Sequence, residues 1–249
     1  PLLRVDTSNA VHTPTLRRQH IFHQDFQRGS MFTILSSPKG GTGTSVVAAS
    51  LAIVSSSSTP TLLVDLAGDQ AAILGLPQPP TGLSDWANGM TYREFDEIIS
   101  LCHDNLYLAP TGTFDFETLN ANAWDKLSRA LSLKHSEGCN VIVDLGRADV
   151  PLSLQEIIDN CYLVIRPCYL ALRRAVDLET AFSGVIVVNE PDRVLTSRDV
   201  ESVLKLKCVA EIPYTSEISR RVDSGLLKSR LPDSLHRVLS PLVSRQVNP

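Results

Sequence analysis

Apolar residues fall along this chain in short unbroken runs, at 32–35, 61–65, 106–109, 141–144, 162–165, 185–188 and 208–212. A strand with one wet face alternates apolar and polar residues. These runs do not alternate, which is the pattern of strands covered on both faces. Between them the period changes. Residues 124–133 place Trp124, Leu127, Ala130 and Leu131 along one side of a helix, and residues 153–158 do the same with Leu154, Ile157 and Ile158. Strand alternating with helix over the whole length predicts a doubly wound α/β fold with a mostly parallel sheet of about seven strands. Such sheets bind ligands beyond the carboxyl ends of their strands, so the chemistry should gather there.

Residues 1–30 break the pattern. They are rich in Thr, Ser, Gln, His and Arg with little periodicity, and the first convincing strand follows Met31. They are expected to form a poorly ordered extension that is not part of the native domain, leaving residues 31–249 as one domain. His12, His20 and His23 lie in that polar stretch without Cys partners or a metal-ligand spacing, which argues against a metal site. The formal charge of −4 gives no global attraction to nucleic acid or to an anionic membrane, so any such contact has to be local. Cys102, Cys139, Cys161, Cys168 and Cys208 are odd in number and lack C-x-x-C spacing, which fits a reducing cytoplasm better than a disulfide framework or a zinc site.

The candidate chemistry sits at strand ends. The first strand runs into S-S-P-K-G-G-T-G-T-S, residues 36–45, followed by an apolar helical stretch. Glycines at 40, 41 and 43 let the backbone take positive φ and approach a phosphate, with Thr42 and Thr44 between and beyond them and a helix N-terminus behind. Ser45 stands where a phosphate-loop hydroxyl ligates Mg²⁺, and Asp144, closing a later strand, is placed to hold that ion through water. Asp65 closes the second strand. An aspartate ending an apolar run is seldom a core residue, because an unpaired buried carboxylate is costly. The dinucleotide fingerprint G-x-G-x-x-G fails here, since Val46 occupies its third glycine. The strict pattern G-x-x-x-x-G-K-[ST] fails too, with Pro38 at its first glycine and Thr44 at its lysine.

What survives is Lys39, just before the glycine pair. Here the chain resembles the MinD/ParA family of deviant Walker A P-loop ATPases, whose loop reads K-G-G-x-G-K-[ST]. The resemblance continues through Thr61-Leu62-Leu63-Val64-Asp65, Ile73-Leu74-Gly75-Leu76, Asn105 to Pro110, Val141-Ile142-Val143-Asp144, Arg166-Pro167, Val187-Val188-Asn189 and Glu211-Ile212-Pro213. It implies ATP and Mg²⁺ as cofactors and a nucleotide-dependent homodimer in which Lys39 reaches the partner's nucleotide. It also implies adenine contacts from Asn189 and Pro213, and an acidic switch segment beginning at Asp65. A protein partner belonging to division, chromosome-partitioning or pilus and secretion machinery follows from the same likeness, with recruitment to the membrane or a cell pole; a CpaE/TadZ-like branch is compatible.

The departures bear on turnover. Where the family reads D-x-D, this chain reads Asp65-Leu66-Ala67, with Asp69 as the nearby substitute, and Asp144 is followed by Leu145-Gly146. Removing one cation from the β/γ-phosphates costs ~10²–10³ in rate by analogy with an oxyanion donor, whereas ground-state binding rests more on backbone N–H groups. ATP binding with weak or lost hydrolysis is therefore expected; the alternative is a nucleotide-free scaffold acting through protein contacts. Residues 217–237 set five cations (Arg220, Arg221, Lys228, Arg230, Arg237) against three acids (Glu217, Asp223, Asp233), the charge of an ordinary solvated face more than a DNA patch. Leu235, Val238, Leu239, Leu242 and Val243 keep helical spacing that is interrupted at Pro241, and read as core packing more than as a membrane-targeting helix.

Overall fold

The computed structural model describes residues 29–113 and 116–244; the histidines and the extension discussed above lie outside them, except for Gly29 and Ser30. The strands are β1 Phe32–Ser36, β2 Thr61–Asp65, β3 Ser100–His103, β4 Leu106–Ala109, β5 Asn140–Gly146, β6 Asn160–Ile165, β7 Gly184–Val188 and β8 Cys208–Ile212. The helices are α1 Thr44–Ser56, α2 Gln70–Ile73, α3 Leu83–Ala87, α4 Phe95–Ile98, α5 Ala121–Ser136, α6 Leu152–Gln155, α7 Tyr169–Val176, α8 Ser197–Leu204, α9 Ser216–Asp223 and α10 Asp233–Ser244.

All the strands join one sheet in the order β3-β4-β2-β5-β1-β6-β7-β8, parallel throughout except where β3 runs against β4. The apolar runs become strands buried on both faces, except at the sheet edge, where β8 leaves Glu211 exposed. One face, carrying Leu35, Leu63, Ile142, Val164 and Ile186, packs on α1 and α10. The opposite face packs its left half, Phe32, Ile34, Val64 and Val143, on α3 and α5. Its right half, Leu163, Ile165, Val185 and Val187, packs on α7 and α8. Side chains of neighbouring positions point to opposite faces, so a run apolar at every residue is what two covering layers require.

The connections leave β1 and β5 in opposite directions: α1 carries the chain from β1 past β5 to β2, and α6 carries it from β5 past β1 to β6. The carboxyl ends of β1, β2 and β5 therefore open on a crevice at the point where strand order reverses.

Three expectations need correction. The sheet has an eighth strand, β3, which the sequence pattern misses because it is an antiparallel edge strand with Leu101 largely exposed and no apolar run. The helix expected at 153–158 is a single turn, Leu152–Gln155; its Cα path ends because β6 already begins at Asn160, with the Asp159 carboxylate accepting the Phe32 N–H. Pro241 does not interrupt the last helix, which runs through it from Asp233 to Ser244.

Candidate functional site

The loop after β1 is anchored before it bends. Ser37 donates both its N–H and its Oγ–H to the Gly146 carbonyl at 2.9 Å, and the Ser36 hydroxyl donates to Ala148 O, tying β1 to the end of β5. Gly41 and Gly43 then adopt φ of +77° and +95°, and a Cβ built on Gly41 would meet nothing within 4 Å. Gly40, expected to share that role, does not adopt positive φ, and a side chain there would also point into open space. Gly43 is the N-cap of α1 and offers no side chain to its amides, and the first turn holds no acid. A helix start left open in this way is suited to an anion.

Thr44 holds the lysine position with its side chain buried, and its Oγ1 lies 2.8 Å from Thr42 Oγ1, so the two hydroxyls pair with each other. Lys39 is half-buried at the shoulder of the loop and does not line the crevice in its own chain. The crevice has a volume of about 960 Å³ and is walled by the loop from Gly40 to Val46, by Leu66, Ala67 and Asp69, and by Leu145 to Ala148.

Asp65 and Asp144 are register partners on adjacent strands and both are fully buried. Asp144 accepts from the Gln70 amide Nε2 at 2.7 Å, from Gly146 N–H at 3.2 Å and from the Ser45 hydroxyl; burial pushes its carboxyl above the usual range. Asp65 is pushed up to about 7 by burial and then by the neighbouring Asp144. Its oxygens accept N–H groups of Ala67 (3.2 Å), Gly68 (2.7 Å) and Gln70 (3.1 Å). Through these bonds the carboxylate caps the turn after β2, and Asp65 is not among the residues that wall the crevice. Asp69 is exposed, makes no side-chain cap to α2, and does line the crevice.

Two departures from the family pattern turn out to be neighbours. A Cβ on Gly146 would stand 3.0 Å from the Ala67 Cβ, so the small residues at 67 and 146 share one space.

Gln70 escaped the sequence reading. It is fully buried, and its amide bridges Asp144 and the Ser45 carbonyl at 2.9 Å, contacts made across 74 and 25 residues of chain. The only local hint was a glutamine after Gly68-Asp69 where an apolar helix begins. Arg166, noted earlier only as part of the resemblance, donates from Nε to Thr42 O at 3.4 Å and pairs with Glu190, which Arg193 and Arg166 hold below the usual carboxylate range.

On the far side of Gly43 lies a smaller cavity of about 200 Å³, walled by Val46, Val47, Arg166, Val188, Ile212 and Pro213. Pro213 thus lines an apolar slot beside the loop. Asn189 does not line it; its amide donates to Glu211 Oε2 at 2.9 Å, whose other oxygen accepts from Ser197 Oγ at 2.7 Å.

The donor set fits a hard divalent cation. Ser45 and Asp144 present oxygen ligands side by side, and the Gln70 Oε1 beside them is buried without a hydrogen-bond partner. Among the described residues no three His, Cys, Asp or Glu side chains gather, so such an ion would complete its shell with ligand or water oxygens.

No protein-family model matches the chain, and no curated protein sequence matches it. Solved structures do. A ParA family ATPase from Chlorobium tepidum is 22% identical with a TM-score of 0.71, covering 88% of this chain and 99% of its own. The septum site-determining protein MinD from Pyrococcus horikoshii, complexed with Mg-ADP, is 18% identical with a TM-score of 0.68, covering 86% and 95%. A chain of the MinC:MinD cell division protein complex from Aquifex aeolicus is 19% identical with a TM-score of 0.65, covering 88% and 96%. The chain shares the fold of these solved structures, a mostly parallel α/β sheet covered by helices on both faces.

Proposed function

We propose that this MinD/ParA-like fold binds Mg·ATP at residues 36–45, turns it over slowly, and uses the bound state to position cellular machinery through a protein partner. The observation that carries the reading is the loop itself. Gly41 and Gly43 shape an open anion cradle at the start of α1, with Ser45 and Asp144 adjoining it, while the lysine position holds a buried threonine. Backbone N–H groups would hold the phosphates, Ser45 and Asp144 would hold Mg²⁺, and the apolar slot at Val188, Ile212 and Pro213 would receive the base. Mg²⁺ supplies charge neutralisation at the phosphates. The solved neighbours include an ATPase, an Mg-ADP complex and a complex with a partner protein, which supports the cofactors and the partner-binding kind of role.

Slow turnover follows from unequal effects on ground and transition states. Thr44 removes a cation needed most when charge moves on the β/γ-phosphates, but leaves the amides that bind the ground state. Single-turnover phosphate release at saturating Mg·ATP tests this. Thr44→Lys should raise the rate, by up to ~10²–10³, and adding Ala67→Asp should raise it further. Wild-type turnover that neither variant exceeds, and that Asp144→Ala abolishes, would mean another cation already acts in the lysine's place.

The scaffold alternative has one specific observation in its favour. Thr42 pairs with Thr44 and Gln70 with Asp144, so much of the site's polarity is satisfied internally.

A further inference from the structure

Gln70 is satisfied on one side only. Its Nε2 donates to Ser45 O at 2.9 Å and to Asp144 Oδ2 at 2.7 Å, while Oε1 is buried and accepts nothing. A glutamine serving merely to tie α2 to the loop has no use for an orphaned oxygen, and a buried unpaired acceptor is costly. Its backbone is held by the N–H bond to Asp65 Oδ2 at 3.1 Å, but the terminal amide torsion is soft and roughly two-fold. We infer that Gln70 is a swivelling partner of the cation position at Ser45 and Asp144. Without a cation its amide hydrogens satisfy Asp144; with one bound, the amide turns over, releases Asp144 and presents Oε1 to the cation or to a water on it. An amide oxygen is a ligand type that Mg²⁺ and its waters accept. Because Gln70 heads α2, directly after the Ala67 and Asp69 wall of the crevice, the turn links cation occupancy to the shape of that wall. The inference rests on the nucleotide reading above and adds to it a residue outside the expected metal pair.

The test is calorimetric titration of ADP into the wild-type chain and into Gln70→Glu and Gln70→Lys, each with and without MgCl₂. The readout is the ratio of the two ADP affinities. Magnesium should strengthen ADP binding in wild type. The ratio should rise about ten-fold in Gln70→Glu, which offers an oxygen and no amide hydrogens, and fall towards unity in Gln70→Lys, whose ammonium holds Asp144 permanently. A purely structural glutamine would weaken ADP alike in both conditions, and unchanged ratios overturn the inference. Gln70→Glu decides even where the Lys variant does not fold. Wild type that binds ADP equally with and without magnesium overturns the inference and spares the nucleotide reading; wild type that binds no ADP in either condition overturns both.

Discussion

At the scale of single residues, the behaviour of the site turns on two carboxylates kept from water at the ends of adjacent strands. Asp65 is raised to about 7 from its ordinary 3.8 by burial and then by Asp144. The folded chain therefore holds a proton that the unfolded chain releases between those values. Its contribution to stability is full at about pH 4 and is lost as pH rises to about 7. The melting temperature of the metal-free protein should fall over that window, and the fall should be shallower in Asp65→Asn; equal slopes in the two proteins would contradict the assignment. That Thr44 and Ser45 would open a helix after the glycine loop, with Asp65 and Asp144 at nearby strand ends, could be read from motif spacing alone. Gln70 could not, because its meaning lies in a contact with Asp144 made across 74 positions, and no local pattern encodes that. The orientation of Asp65 was not legible for a related reason: spacing gives a residue's place, whereas the direction of its carboxylate depends on three backbone N–H groups of the following turn.

At the scale of elements, the strands were readable wherever two layers cover them, because burial on both faces leaves an unbroken apolar run. β3 was not, since an edge strand paired on one side needs no such run. The last helix separates two physical readings of one amphipathic stretch. Leu235, Leu239 and Leu242 of α10 are buried against α1 and the sheet, so this face is core and is unavailable to a lipid surface. Leu239→Ala should cost about 2–5 kcal/mol in urea unfolding, as for other buried leucines. A stability change within error, accompanied by loss of vesicle binding, would instead make the helix a membrane anchor. α9 is the shallower case. It buries none of its residues fully: Ile218 and Val222 pack partly against the core, Arg221 is half-buried and Arg220 is exposed.

At the scale of the whole molecule, the sheet order brings β1, β2 and β5 side by side at the reversal point, and this alone assembles a glycine-rich loop, a capped acidic turn and a second acidic strand end around one crevice. Among the described residues no helix is long and apolar enough to cross a membrane. The likeness to MinD and ParA structures at identities near one residue in five is a likeness of fold, and the departures at Thr44, Ala67 and Gly146 all lie on the walls of that crevice. Under the proposed function they bear on turnover and leave the loop shaped by Gly41 and Gly43 in place. The most direct measurement of the central claim is calorimetric titration of the chain with ATP in the presence of Mg²⁺, alongside Gly41→Val. Gly41 has a φ of +77°, which a β-branched residue rarely adopts, and its missing side chain leaves open the space proposed for phosphate. Saturable binding by the wild type and none by the folded Gly41→Val variant is the predicted result. No binding by the wild type, or equal binding by both proteins, would contradict it.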